Sequence, residues 1–477
     1  MSRFYVQNFG CRATQADGAA IERQFLDLGL DRASSPAAAD WVILNTCAVT
    51  AHAEQDARAA IRRIRRANDT CKIVITGCYA QRAPAEVAAL RGVSHVVGNS
   101  DKHNLAELVF EPKCQENRSR AGSFFPLASL QAALAAEPSS AGVEIFVSDI
   151  FAHTRLLAAP VFDSAGARTR PNLKIQDGCS NRCSFCIIPS VRGRSRSLAY
   201  TEVLSEVNQL VRAGYREIVI SGINLGRWGR DFDRGQYESG SFIKDQPGPI
   251  DLVTLIRSIL EHTSLEKLRV SSVEPMDWTD ALVRLMAESP RIAKHVHVPL
   301  QSASDSILRA MRRRYRPWHY REKILNIRAA MPTAAIGADV MVGFPGESEA
   351  DFDETRAMIE ELPLTYLHVF TFSARPGTAA ATLGNPLPAE VAGERSRILR
   401  DLGTRKKLVF MRSFIGRQLQ AITLAARAEQ SGGNWTEALS DNYLKVRLEG
   451  RQEANRWVEV SIGAVRNGYL SGQPVRP

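Results

Sequence analysis

Twice along this chain, short apolar strands alternate with helical stretches, a pattern that folds into a parallel sheet covered by helices. In the first series, Phe4–Phe9, Trp41–Thr46, Lys72–Gly77 and His95–Gly98 read as strands. Gln15–Leu28, Glu54–Arg66 and Pro84–Leu90 read as the helices between them. The second series begins at Asn172, with strands over Leu173–Asp177, Glu217–Ser221, Lys267–Ser272, His295–Leu300, Ile336–Gly343 and Tyr366–Phe372. Helices such as Glu202–Arg212, Asp251–Glu261, Asp280–Glu288 and Ala350–Glu361 separate these strands. Six β/α units imply an open, partial TIM-like barrel whose function sits on the loops after the strands. The tail changes to short β runs (RQLQAITL, YLKVRLEG, RWVEVSIG), the pattern of a small antiparallel barrel of the oligonucleotide-binding kind. The expected class is therefore α/β, and 477 residues suit roughly three domains. The expected divisions are 1–110, a linker with an insertion over 111–168, 169–403 and 404–477. The insertion is rich in Ala, Ser, Pro and Glu, with a helical stretch over Leu127–Ala136 and two short apolar runs.

The loop after the first strand of the second series reads DGCSNRCSFCIIP and holds Cys179, Cys183 and Cys186 in the spacing C-x3-C-x2-C. A structural zinc site wants four ligands in paired knuckles, and no fourth Cys or His lies at a matching short distance. Three thiolates suit an iron–sulfur cube with one iron left open. An open iron on a low-potential cluster is what reductive cleavage of S-adenosylmethionine requires. Scattered core cysteines, behaving as small hydrophobes, would not sit in a Gly-Cys turn beside Asn181 and Arg182. Three further cysteines each follow a strand of the first series: Cys11, Cys47 and Cys78. Ligands of open α/β sheets gather at the carboxyl ends of strands, so these thiols are expected to converge as a second three-thiolate site. The alternative is three separate buried cysteines. Cys71 and Cys114 lie away from strand ends and read as ordinary buried thiols.

Other strand-end loops carry ligand-like groups. Ser221, Gly222 and Asn224 lie in SGINLG, and Gly343 and Gly346 in GFPGE. SSVEP supplies Ser272 and Glu274, and the pair Gln301–Ser302 supplies an amide and a hydroxyl. Singly these are ordinary turns. Together, above a cluster motif, they read as a pocket for S-adenosylmethionine. His295 and His297 alternate on a strand and read as core or supporting residues, and Arg309–Arg321 as a solvated helix end or a contact to substrate phosphate.

The chain is 44% hydrophobic and 23% charged, an ordinary globular composition, and its net charge of +10 suggests an anionic partner. From Thr404 onward, 12 Lys/Arg face 6 Asp/Glu, so this tail carries more than half of the excess, as a nucleic-acid-binding module would. Trp435, Tyr443 and Trp457 there either stack on bases or form the barrel's own core. No run of about 18 apolar residues exists for a membrane span. The N-terminus MSRFYVQNFGC lacks the features of a signal peptide, and thiolate chemistry suits a reducing, cytoplasmic location.

Four stretches resemble the motifs of the radical S-adenosylmethionine methylthiotransferases: GCRATQ (Gly10–Gln15), NTCAVT (Asn45–Thr50), TGCYAQ (Thr76–Gln81) and GCSNRCSFCIIP (Gly178–Pro189). The likeness spans most of the chain apart from 111–168. It implies two [4Fe–4S] clusters, an auxiliary one on Cys11, Cys47 and Cys78 and a radical one on Cys179, Cys183 and Cys186. It also implies a C-terminal TRAM domain that grips substrate. One S-adenosylmethionine would methylate a sulfur on the auxiliary cluster and a second would be cleaved at the radical cluster, so the barrel mouth is expected to face the N-terminal cysteine edge. A low-potential electron donor and a sulfur source would be further partners. Thr14 stands where the family often has Asn. SGINLGRWG, SSVEPMDW and FSARPGT look most like the branch that modifies N6-threonylcarbamoyladenosine in tRNA at carbon 2. The alternatives are isopentenyladenosine in tRNA, a ribosomal protein aspartate, or a cluster-bearing RNA-binding protein without catalysis.

Overall fold

The computed structural model describes residues 2–110, 142–153, 156, 169–232, 250–425 and 435–475. Cys114 and the helix read over Leu127–Ala136 lie outside them. The chain forms two compact units. The first comprises Met1–Ala159, Gly178–Ser180 and Ile187–Arg194; the second comprises Pro160–Asp177, Asn181–Cys186 and Ser195–Pro477.

The first unit is built on strands β1 (Arg3–Asn8), β2 (Asp31–Arg32), β3 (Trp41–Thr46), β4 (Lys72–Gly77), β5 (Val93–Val97) and β6 (Glu144–Phe146). They lie in the order β2-β1-β3-β4-β5-β6, and every pair is parallel. All of β3 is buried, as expected of a strand covered on both faces. Val42 and Leu44 pack under Ala57, Ala60, Ile61 and Ile64 of the helix Ala51–Ala67. Trp41 and Ile43 point the other way, toward Ile21 and Phe25 of the helix Arg12–Asp27. The buried stripe of Ala51–Ala67 follows the helical period. Thr50 caps its start by accepting from the Ala53 N–H at 3.2 Å, and Arg65 and Arg66 complement the dipole at its end.

Three elements here carry no sequence signal. β2 is two exposed charged residues, and Cys78–Arg82 is a single helical turn. β6 lies inside the stretch read as linker, yet pairs with β5 through His95–Glu144, Val96–Ile145 and Val97–Phe146.

The second unit begins with β7 (Asn172–Asp177), β8 (Arg196–Ser197), β9 (Glu217–Gly222), β10 (Lys267–Val270), β11 (His295–His297), β12 (Ala335–Val342) and β13 (Tyr366–Thr371). β10-β9-β7 and β11-β12-β13 are parallel, and β8 adds antiparallel to β7. The bridge of Leu268 with Ile292, just before β11, and the bond from the Val273 N–H to the His297 carbonyl (3.1 Å) join the two sets, and the six parallel strands form the open partial barrel. β11 is shorter than the expected His295–Leu300, although the Val298 and Leu300 N–H groups still donate to the Gly337 and Asp339 carbonyls of β12 at 2.9 and 3.0 Å.

The tail closes into a five-stranded barrel: β14 (Gln418–Thr423), β15 (Trp435–Ser440), β16 (Lys445–Glu449), β17 (Trp457–Arg466) and β18 (Tyr469–Pro474), in the order β14-β15-β16-β18-β17. One pair, β16 with β18, is parallel, so the barrel is not wholly antiparallel. The helix Ala389–Arg412 runs through residue 404 and delivers Met411, together with Phe414 just beyond it, to the barrel's core.

The turn Asp441–Tyr443 between β15 and β16 is seated at the amino-terminal ends of the partial-barrel strands. Arg269 donates to the Asp441 carbonyl (3.0 Å) and the Ser440 carbonyl (3.4 Å), and Asn442 donates to the Thr333 carbonyl (3.1 Å). Tyr443, at φ +69°, lays its ring 4.5 Å from His295. It is therefore neither a free base platform nor part of the small barrel's core.

Candidate functional site

Each of Cys11, Cys47 and Cys78 stands where a parallel strand ends, and the first unit brings them together. Gly77 makes the turn into Cys78 at φ +99°, and a β-carbon there would come within 2.3 Å of the Thr46 carbonyl, so only glycine fits. Cys47 and Cys78 are buried and Cys11 is exposed; all three are free thiols. Burial pushes the Cys47 thiol up to about 12, with the neighbouring charges of Cys78 and Cys11 adding to the rise. Without a cation the Cys47 sulfur is therefore a thiol. A bound metal cluster would remove the penalty and make it a thiolate.

The surrounding polar groups are buried and paired. Arg192 and Lys102 both bind Asp17, at 2.9 and 3.1 Å, and Lys102 also reaches Asn45 at 3.2 Å. Asn99 donates to the Cys78 sulfur (3.4 Å) and to the Val191 carbonyl (2.7 Å). Thr14 is buried, with its hydroxyl 3.5 Å from the Cys11 sulfur.

The C-x3-C-x2-C loop belongs to both units. In the first, the Cys179 N–H donates to the Gly193 carbonyl at 3.0 Å, and a β-carbon on Gly178 would meet the Arg194 carbonyl at 2.0 Å. In the second, Ser184 ties the loop down through the Met311 carbonyl (3.1 Å) and the Ala310 carbonyl (2.7 Å). All three cysteines are partly exposed and none is in a disulfide, a donor set that fits an iron–sulfur cluster.

Arg313 donates to the Cys183 sulfur at 3.3 Å and pairs with Glu274. Burial alone would lower the basicity of Arg313, but Tyr315, Glu274 and Cys183 outweigh it and keep the guanidinium charged. The run read as a solvated helix end or phosphate contact thus alternates: Arg313 and Tyr315 are buried, while Arg312 and Arg314 are exposed. A small cavity beside Cys183 is lined by Asn181, Arg182, Glu274, Arg312 and Tyr315.

The expected cofactor groups divide. The Ser221 hydroxyl is buried without a hydrogen-bond partner among the described residues, as a group waiting for a ligand would be. The Asn224 N–H donates to the Gln176 side chain at 2.6 Å, and a β-carbon on Gly222 would strike that same side chain at 2.8 Å. Glu274 reaches Cys183 through Arg313. Gln301 adopts φ +63° and bridges Val340, and Ser272 is half-buried.

The N–H groups of Gly343 and Gly346 are both taken within the protein. The Gly343 N–H is taken by Glu347 (2.8 Å), which pairs with Arg395 (2.7 Å), and the Gly346 N–H by the Asn385 carbonyl (3.0 Å). Sequence reasoning missed Gln176 and Arg313. A polar residue inside an apolar strand was the available signal for Gln176; Arg313 was hidden in an arginine run.

The partial barrel with its cysteine loop defines a radical S-adenosylmethionine protein, and residues 173–359 match the Radical SAM superfamily. Residues 3–98 match the uncharacterized protein family UPF0004. The fold resembles the radical S-adenosylmethionine methyltransferase TsrM of Kitasatospora setae, with a TM-score of 0.50 at 15% identity over 80% of this chain and 77% of that one. The threonylcarbamoyladenosine tRNA methylthiotransferase MtaB of Bacillus subtilis is 32% identical over 100% of this chain and 97% of its own length. MtaB of Aquifex aeolicus is 32% identical over 96% of this chain and 99% of its own. The tRNA-2-methylthio-N(6)-dimethylallyladenosine synthase of Saccharopolyspora erythraea is 32% identical over 100% of this chain and 87% of its own. The chain belongs to the radical S-adenosylmethionine methylthiotransferases, enzymes that use S-adenosylmethionine and a [4Fe–4S] cluster. Among the described residues, no helix is long and apolar enough to cross a membrane.

Proposed function

We propose that this enzyme methylthiolates carbon 2 of N6-threonylcarbamoyladenosine in tRNA, in the cytoplasm, using two clusters. Cys179, Cys183 and Cys186 hold the radical cluster, and Cys11, Cys47 and Cys78 the auxiliary one. The observation that carries this reading is end-to-end similarity to relatives named for that substrate, at 32% identity over 96–100% of this chain.

When bound, the clusters and S-adenosylmethionine supply the radical chemistry that an unactivated C–H bond demands. The protein's residues supply position and charge. Arg313 holds a fixed positive charge against Cys183 and orients Glu274. Ser221 and Asn224, braced by Gln176, offer polar groups to S-adenosylmethionine, and exposed Arg312 and Arg314 meet substrate phosphate. On the C-terminal barrel, the Arg447 guanidinium lies 4.4 Å from the Trp435 ring and 4.1 Å from that of Tyr469, with Lys445 beside them. Such an aromatic–cation surface suits RNA.

The Saccharopolyspora relative keeps dimethylallyladenosine as a second reading. Two synthetic anticodon stem-loops, one carrying each modified adenosine, separate the two. The reconstituted enzyme should convert the threonylcarbamoyl stem-loop at least about tenfold faster, a difference of about 1.4 kcal/mol in barrier. Preference for the dimethylallyl stem-loop would reverse the assignment.

A further inference from the structure

On the partial barrel, three neighbouring strands present one imidazole or carboxylate each to a common point. β11 contributes His297, β12 Asp339 and β13 His368. His297 Nε2 is 3.0 Å and His368 Nδ1 3.2 Å from the same Asp339 oxygen, and the three groups' ligand atoms lie within 4.8 Å of one another. They stand on the face turned away from the helix Ala389–Arg412. That helix packs at Gly403 against Leu367, so its neighbours Tyr366 and His368 point to the opposite side. His297 is buried, Asp339 is about one-quarter exposed, and the His368 side chain is 56% exposed, so the cluster is reachable.

The support behind the cluster is built. A β-carbon on Gly337 would lie 1.9 Å from the Tyr366 ring. Glycine at this point of the middle strand therefore lets Tyr366 cross β12 to histidines on β11. The Tyr366 hydroxyl is 2.7 Å from His295 Nε2 and 3.1 Å from His297 Nδ1. A hydroxyl both donates and accepts, so Tyr366 satisfies His297 in either tautomer. His297 can thus turn a bare Nε2 toward a cation while Nδ1–H donates to Tyr366. That is the outer partner a ligating histidine ordinarily has.

We propose that His297, Asp339 and His368 form a mononuclear site for a divalent transition-metal ion, separate from both cysteine triplets. Two imidazoles and a carboxylate suit Zn²⁺, Mn²⁺, Fe²⁺ or Co²⁺; Ca²⁺ and Mg²⁺ favour all-oxygen sets. Three protein ligands leave coordination positions for a further oxygen or nitrogen donor.

The test uses anaerobically reconstituted holoenzyme, so that the cluster cysteines are occupied, titrated with Mn²⁺ and followed by the electron paramagnetic resonance of the free ion. About one Mn²⁺ per chain should be retained. His368→Ala, on an exposed edge-strand position, and Asp339→Asn should abolish retention while leaving cluster absorbance unchanged. Tyr366→Phe should weaken it about 10–100-fold by freeing His297. Mn²⁺ should also raise the thermal midpoint of the wild type but not of His368→Ala. Failure of the wild type to retain stoichiometric Mn²⁺, or equal retention by His368→Ala and Asp339→Asn, would overturn the proposal.

Discussion

Cys47, proposed above as a ligand of the auxiliary cluster, is held protonated by its burial. A thiol pushed up to about 12 is about one part in 10⁴ thiolate at pH 8. In metal-free protein Cys47 should therefore alkylate far more slowly with iodoacetamide than exposed Cys11, and cluster assembly should protect both. Mass spectrometry of the labelled peptides checks this; equal labelling of Cys11 and Cys47 would contradict it. Arg313 makes a second residue-scale prediction. Replacing it with Ala leaves the partly exposed Glu274 and Cys183 without their cation, and removing one partner of a buried pair costs about 3–5 kcal/mol. Glu274 is partly exposed, so the lower end is expected. Arg313→Lys keeps the charge and should recover part of the loss in denaturant unfolding. The candidate cysteines were legible because each follows a strand or sits in a tight local spacing. The contacts of Gln176, Arg313 and Asp339 were not, because they come from partners on distant elements that no local pattern encodes.

Among the elements, the interior strands were read nearly to the residue because continuous apolar runs are how doubly covered strands are written. Trp41–Thr46 and Lys72–Gly77 coincide with β3 and β4. β6 escaped because three residues at a sheet edge need no such run. A boundary at residue 404 cuts the helix Ala389–Arg412, and Lys406 on that helix bonds the Glu360 carbonyl at 2.9 Å. Truncation there would also pull the Asp441–Tyr443 turn from its seat against Arg269 and His295, so point changes are the sounder probe. Lys445→Ala with Arg447→Ala should weaken tRNA binding and reduce the log–log salt slope by about 0.7–0.9 for each phosphate that is no longer neutralised. Trp435→Ala should cost about 1–3 kcal/mol of affinity if a base stacks there. Affinities measured at several salt concentrations decide it; an unchanged slope would remove the small barrel from the RNA grip.

For the whole molecule, the proposed function gives the two cysteine triplets separate tasks. Residues 3–98 and 173–359 match different families, and each match contains one triplet and none of the other. The most direct measurement is mass spectrometry of one reaction mixture for two products, 5′-deoxyadenosine and the methylthiolated tRNA nucleoside. Wild-type enzyme should give both. Replacement of Cys11, Cys47 and Cys78 with Ala should leave 5′-deoxyadenosine and eliminate the methylthio nucleoside; replacement of Cys179, Cys183 and Cys186 should eliminate both. Methylthio nucleoside from the Cys11/Cys47/Cys78 variant at the wild-type level would contradict the division of labour.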